Sequence, residues 1–149
     1  MEVEARVEER VRQPVSAVFK AIVDPEEMSQ YFITGASGPM KAGTRVEWEF
    51  SDVGVKVPID VVEVVENRKI VYEGNHTGIR SRVTIDLKAA DPETTVVSIH
   101  EAGWPMDPEG VKRALGQTAG WTYFQCCLKA YLQHGINLRV GLTRRITDR

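Results

Sequence analysis

The chain has 149 residues, 42% hydrophobic and 27% charged, with a formal net charge of -2. That length suits one domain with a sizeable core. The composition lacks the basic excess of a nucleic-acid binder, and no apolar run is long enough to cross a bilayer, so neither nucleic-acid binding nor membrane insertion is expected.

Met1 to Val11 alternates. Val3, Ala5, Val7 and Val11 fall on one side, and Glu2, Glu4, Arg6, Glu8 and Arg10 on the other. This predicts a half-buried strand. The stretch is charged throughout and lacks the apolar centre of a signal peptide, which points to a cytoplasmic protein. Glu9 falls on the apolar side and is expected just past its buried edge. Gln13-Pro14 ends the strand. Val15, Val18, Phe19 and Ile22 have helical spacing, and Pro14 suits a first turn. Asp24 can cap a second short helix, with Pro25 at its first position and Glu26 and Glu27 at its positive end. "TGASGPMKAG" reads as loop.

Strands follow. Val46, Trp48 and Phe50 alternate with Arg45, Glu47 and Glu49. Val53, Val55, Val57 and Ile59 form the next apolar side. Alternation fails near Val61-Val62, which predicts a bulge or bend. Asn67-Arg68 suits a tight turn and Lys69 to Glu73 a short strand. From Ile79 to Leu87 the apolar side is Ile79, Val83, Ile85 and Leu87. Thr94 to Ala102 is the last strand, with Val97 and Ile99 inward and His100 outside. Such spacing predicts an antiparallel meander.

Asp107, Pro108 and Gly135 delimit a long helix from about Pro108 to His134. At about 100° per residue, Ala114, Gln117, Trp121, Phe124, Leu128, Tyr131 and Leu132 share one face. Cys127 lies at its edge and Cys126 on the back. Thr118, Thr122, Lys129 and Gln133 lie across from it. Adjacent cysteines on a helix are badly placed for a disulfide, and His76, His100 and His134 are far apart in sequence. Free thiols are expected, and neither a metal nor a cofactor. This amphipathic helix must dock on the apolar face of the sheet. Aromatic side chains on both sides either fill the gap between them or line it. Beyond the helix, Arg139, Arg144, Arg145 and Arg149 form a basic cluster, expected to be a solvated tail.

Several stretches together carry a family resemblance. "PVSAVFKAIVDPEEMSQYF", Gly43 before a Trp-bearing strand, "NRKIVYE", "TTVVSIHEAGW" and "GWTYFQCCLKAYLQHG" occur in the order and spacing of the START-like, or SRPBCC, superfamily. The chain most resembles the branch named for homology to the activator of Hsp90 ATPase. That family often has Trp where Tyr31-Phe32 stands, so this corner is expected to differ in shape. The resemblance covers residues 1–135 as a single domain and leaves 136–149 as a tail outside the family core. It implies an α+β helix-grip (Bet v 1-like) fold: a curved antiparallel sheet of about six strands around a long C-terminal helix, with two short helices after the first strand.

The superfamily's cavity between sheet and helix implies a hydrophobic small-molecule ligand, lipid-, polyketide- or aromatic-like. The sheet residues expected to face it are Trp48, Phe50, Ile59, Tyr72, Val83 and Ile85. The helix contributes Gln117, Trp121, Phe124 and Leu128. Gln117 and Tyr72 are the polar candidates for orienting a ligand. No nucleophile elbow, phosphate loop or metal cluster marks an enzyme. Glu9 has no evident partner, and the other acidic residues fit exposed faces. No catalytic residue is therefore assigned. The alternatives are a cyclase-like or hydrolytic enzyme using the same pocket, and a chaperone-interaction module. A homodimer is compatible with the sequence.

Overall fold

The computed structural model describes residues 1–140. The elements are β1 (Glu2–Val11), α1 (Val15–Val23), α2 (Pro25–Met28), β2 (Gly35–Ala36), β3 (Arg45–Phe50), β4 (Val55–Val65), β5 (Lys69–Gly74), β6 (Ser81–Asp91), β7 (Thr94–Pro105) and α3 (Pro108–His134). All strands join one antiparallel sheet in the order β1-β7-β6-β5-β4-β3-β2. This is the expected helix-grip architecture with seven strands instead of about six. The extra strand is the two-residue β2, inside the stretch read as loop.

The register sets inward-facing residues opposite one another across the sheet. Val46 pairs with Ile59, Val61 with Tyr72, Tyr72 with Val83, and Ile85 with Ile99. A register shift between Val61 and Glu63 confirms the expected bulge. It bends β4, as an unpaired extra residue does. Asn67, at φ 60°, makes the expected tight turn before β5. Two strand starts differ from the sequence reading. Val53 lies in the β3–β4 turn and is exposed. Ile79 precedes β6 and packs in a small cluster with Ala5, Trp104 and Ala114.

The helix ends follow their sequence signals. Asp24 Oδ1 accepts from the Glu26 N–H at 2.9 Å to cap α2. Asp107 Oδ1 accepts from the Gly110 N–H at 2.8 Å to cap α3. Gly135, at φ 64°, closes α3 in the left-handed conformation. Gly110 is required for another reason: a Cβ there would lie 1.8 Å from the Pro105 carbonyl oxygen. The start of α3 therefore presses directly on the end of β7.

One face of α3 is buried against the sheet through Trp121, Phe124, Cys127 and Leu128, while Cys126 is exposed. Gln125 is also buried, and its amide donates to the Val97 carbonyl at 3.0 Å. Lys129 and Gln133 are on the flank of α3, not across from the docked face. Lys129 Nζ lies 3.2 Å from Glu9, and Gln133 accepts from the Arg12 N–H at 2.8 Å. Glu9 thus sits at the edge of the apolar side, as expected.

The segment after α3 corrects another expectation. Arg139 is not a solvated tail residue. Its side chain is 13% exposed, pairs with Asp52 at 3.0 Å, and lies over the rings of Phe50 and Phe32 at 4.9 and 5.3 Å. Arg144, Arg145 and Arg149 lie outside the described residues. No helix among the described residues is long and apolar enough to cross a membrane.

Candidate functional site

A cavity of about 170 Å³ lies between α3 and the β3–β5 part of the sheet. Six expected residues line it: Trp48, Phe50, Ile59, Tyr72, Gln117 and Trp121. The other four do not. Val83, Ile85, Phe124 and Leu128 are almost fully buried in the packed core. They face inward as predicted, but neighbouring side chains have already closed over them. Phe124, for instance, backs the wall residues Trp121 and Phe32 at ring separations of 5.5 and 4.9 Å.

The wall also includes Phe32, Val57, His76 and Gly120, which the sequence reading passed over. Phe32 comes from the corner where the family often carries Trp. Its neighbour Tyr31 is fully buried, with its hydroxyl donating to the Ala21 carbonyl at 2.9 Å. A larger groove of about 610 Å³, bounded by Arg12, Gln13, Asp91, Glu93 and Gln133, has a mostly polar wall. The smaller space is the better candidate because apolar walls and a few convergent polar groups characterise ligand sites.

Behind the inner wall lies a buried carboxylate, Glu101, with no exposed surface. This overturns the expectation that the acidic residues other than Glu9 sit on exposed faces. Glu101 follows Val97 and Ile99 on the inward side of β7, and the register sets it opposite Val83 of β6 and Ala5 of β1. Period-two alternation alone carries Glu101 inward. The same parity puts Ser81 inward on β6, below Val83 and Ile85. His76 belongs to the β5–β6 loop and left no periodic signal. His100 does lie on the outer side, with Nε2 3.1 Å from Glu4.

Four groups surround the Glu101 carboxylate. Oε1 accepts from Gln117 Nε2 at 2.8 Å and from Trp121 Nε1 at 2.7 Å. Oε2 accepts from Ser81 Oγ at 2.6 Å and lies 3.0 Å from His76 Nε2. A carboxylate only accepts, so the Gln117 amide must present its nitrogen and His76 its Nε2–H. Gln117 and Trp121 are one helical turn apart on α3, which lets both reach one oxygen. Burial pushes the Glu101 carboxyl upward, but His76, Ser81, Gln117 and Trp121 outweigh it, and the net direction is below the ordinary glutamate value. Glu101 is therefore ionised. Burial, reinforced by the Glu101 charge, drives the Tyr72 hydroxyl well above the ordinary tyrosine value, so Tyr72 stays a neutral phenol.

The loop carrying His76 is held from two sides. Trp104 Nε1 donates to Thr77 Oγ1 at 3.1 Å, and Arg113 Nε donates to the Thr77 carbonyl at 2.6 Å. Among the described residues, no group of three or more His, Cys, Asp or Glu side chains is arranged to hold a metal ion.

Similar solved structures share this architecture. Protein SSP2350 from Staphylococcus saprophyticus is 28% identical, with a TM-score of 0.80 over 92% of this chain and 96% of that one. DynU16, from the dynemicin biosynthetic locus, is 25% identical, with a TM-score of 0.78 over 89% of this chain, which spans only 48% of DynU16. The Aha1 dimer from Colwellia psychrerythraea is 15% identical, with a TM-score of 0.76 over 89% of this chain and 98% of that one, a likeness of fold. No curated protein matches the chain. Residues 12–133 match the family model described as "Activator of Hsp90 ATPase homolog 1-like protein". With that match and this fold, the chain belongs to the Hsp90 ATPase activator homolog 1-like family, a START-like branch.

Proposed function

We propose that the protein binds a small apolar molecule between α3 and the sheet. One observation carries this reading: an aromatic-walled cavity that ends on a fixed polar cluster. The volume of about 170 Å³ narrows the ligand class. It is close to that of a cavity that takes benzene and below the range of about 300–1,000 Å³ that encloses drug-sized ligands. One aromatic ring or a short branched chain fits. A full-length lipid or polyketide would extend past the mouth. The chain is proposed to act in the cytoplasm, where Cys126 and Cys127 stay reduced.

Gly120 supplies the test. It lines the cavity, and a Cβ placed on it meets open space. Gly120→Leu should fill the site while favouring the helix by up to about 1 kcal/mol. Small aromatic compounds are expected to quench the fluorescence of Trp48 and Trp121 saturably in the wild type. In the variant that quench should vanish while the urea midpoint holds or rises. Equal binding by a stably folded Gly120→Leu protein would refute the cavity as the site.

A further inference from the structure

We infer that the cavity selects uncharged ligands carrying a hydrogen-bond donor, of the phenol or aromatic-alcohol class, and rejects carboxylates. This rests on the binding role proposed above and adds the charge and polarity of the ligand.

Glu101 is saturated. A carboxylate offers about four lone-pair sites, and four side chains surround them in pairs, Gln117 and Trp121 on one oxygen, His76 and Ser81 on the other. Glu101 therefore has no acceptor site left for a ligand and no proton to give. Its negative charge remains, sealed from solvent and separated from the cavity only by the side chains that bond to it. A ligand carboxylate entering the cavity would lose its hydration and meet a buried like charge. Both effects are larger in a poorly polar interior than in water.

The groups left over point the other way. Fixing the Gln117 nitrogen on Glu101 leaves its carbonyl oxygen without a hydrogen-bond partner among the described residues, and the Tyr72 hydroxyl also has none. Neither atom is among the polar atoms shut inside protein unpaired. An acceptor and a neutral phenol lining the same cavity suit a ligand hydroxyl, which can donate to Gln117 or exchange a bond with Tyr72. A carboxylate, which only accepts, meets a repulsive carbonyl at Gln117.

The test uses three ligands of one size and shape: p-cresol, toluene and p-toluate. Dissociation constants are measured by tryptophan quenching and by NMR shifts of the full chain at pH 8. p-Cresol is then uncharged and p-toluate is ionised. p-Cresol should bind tightest, toluene more weakly, and p-toluate about tenfold or more below p-cresol. In Glu101→Gln the gap between p-cresol and p-toluate should shrink. p-Toluate binding as tightly as p-cresol to the wild type would overturn the inference while leaving the cavity reading intact. So would a folded Glu101→Gln protein with an unchanged gap. If toluene and p-cresol also fail to bind, the cavity reading falls and takes this inference with it. The wild-type ranking decides the matter even where Glu101→Gln does not fold.

Discussion

Replacing Glu101 with alanine should be among the most damaging single changes in the sheet. The substitution removes the only acceptor among the described residues for the Trp121 indole N–H and the Ser81 hydroxyl, on residues 7% and 3% exposed. His76 and Gln117 also lose their partner, but they border the cavity and can turn toward water. Each enclosed donor left unpaired costs about 1–3 kcal/mol. Breaking a buried charged cluster by deleting one member costs roughly 3–5 kcal/mol. Against a total stability of about 5–15 kcal/mol, that is a large fraction. Urea unfolding followed by tryptophan fluorescence should show a midpoint lowered by about 2 M with an unchanged slope. Glu63→Ala, at an exposed position on β4, should stay within about 0.5 kcal/mol of wild type. A loss below about 1 kcal/mol for Glu101→Ala would refute the claim that this carboxylate organises the cluster.

The lowered pKa of Glu101 gives stability that is complete above the unfolded-state value near ~4.3 and is lost as pH falls through the lower folded value. Wild-type stability should therefore fall more steeply below about pH 5 than that of Glu101→Gln, and equal slopes would contradict the ionised assignment. Arg139→Ala removes the Asp52 pair and the cation over Phe32 and Phe50. It should cost roughly 1 kcal/mol and speed ligand release, read by stopped-flow quenching, because both rings belong to the cavity wall. Gly110→Ala should destabilise by more than ~2 kcal/mol in thermal unfolding, although the same change elsewhere in a helix stabilises, because the new methyl meets the Pro105 carbonyl. A thiol reagent should label exposed Cys126 in the native protein, while buried Cys127, whose thiol is pushed up by burial, reacts only on unfolding.

The sheet and α3 were legible because their signals are local and periodic. Asp107, Pro108 and Gly135 mark the ends of α3, and alternation in β3 and β7 gives the inward rows. The site was only half legible. Alternation reports which side a residue faces, but not whether the space in front of it is open. Val83 and Ile85 face the same way as Tyr72 and Ile59, yet both are buried in the packed core and line no gap. Glu101 was missed for a different reason. Reading β7 by apolarity treats a charged residue as outward, when parity with Val97 and Ile99 sends it in. His76 and Arg139 could not be found at all from periodicity. One sits in a loop held by Thr77, the other in a segment placed by a contact with Asp52, distant in sequence.

The bonds made to Glu101 also limit what its oxygens can do as proton acceptors. A general base needs a free lone pair within reach of the proton it takes. Both Glu101 oxygens already hold two partners, and the remaining His76 nitrogen, Nδ1, is enclosed without one. With its Nε2–H turned to Glu101, His76 keeps one unpartnered acceptor, Nδ1, and that atom is shut inside the protein. What the cluster does in its intact form is hold Gln117, Trp121 and His76 in one orientation, so the inner wall is preorganised before a ligand arrives. Rigid walls lower the ordering cost of binding. In the proposed binding role the buried charge therefore belongs to the scaffold of the pocket, and it acts on a ligand at a distance, through its field.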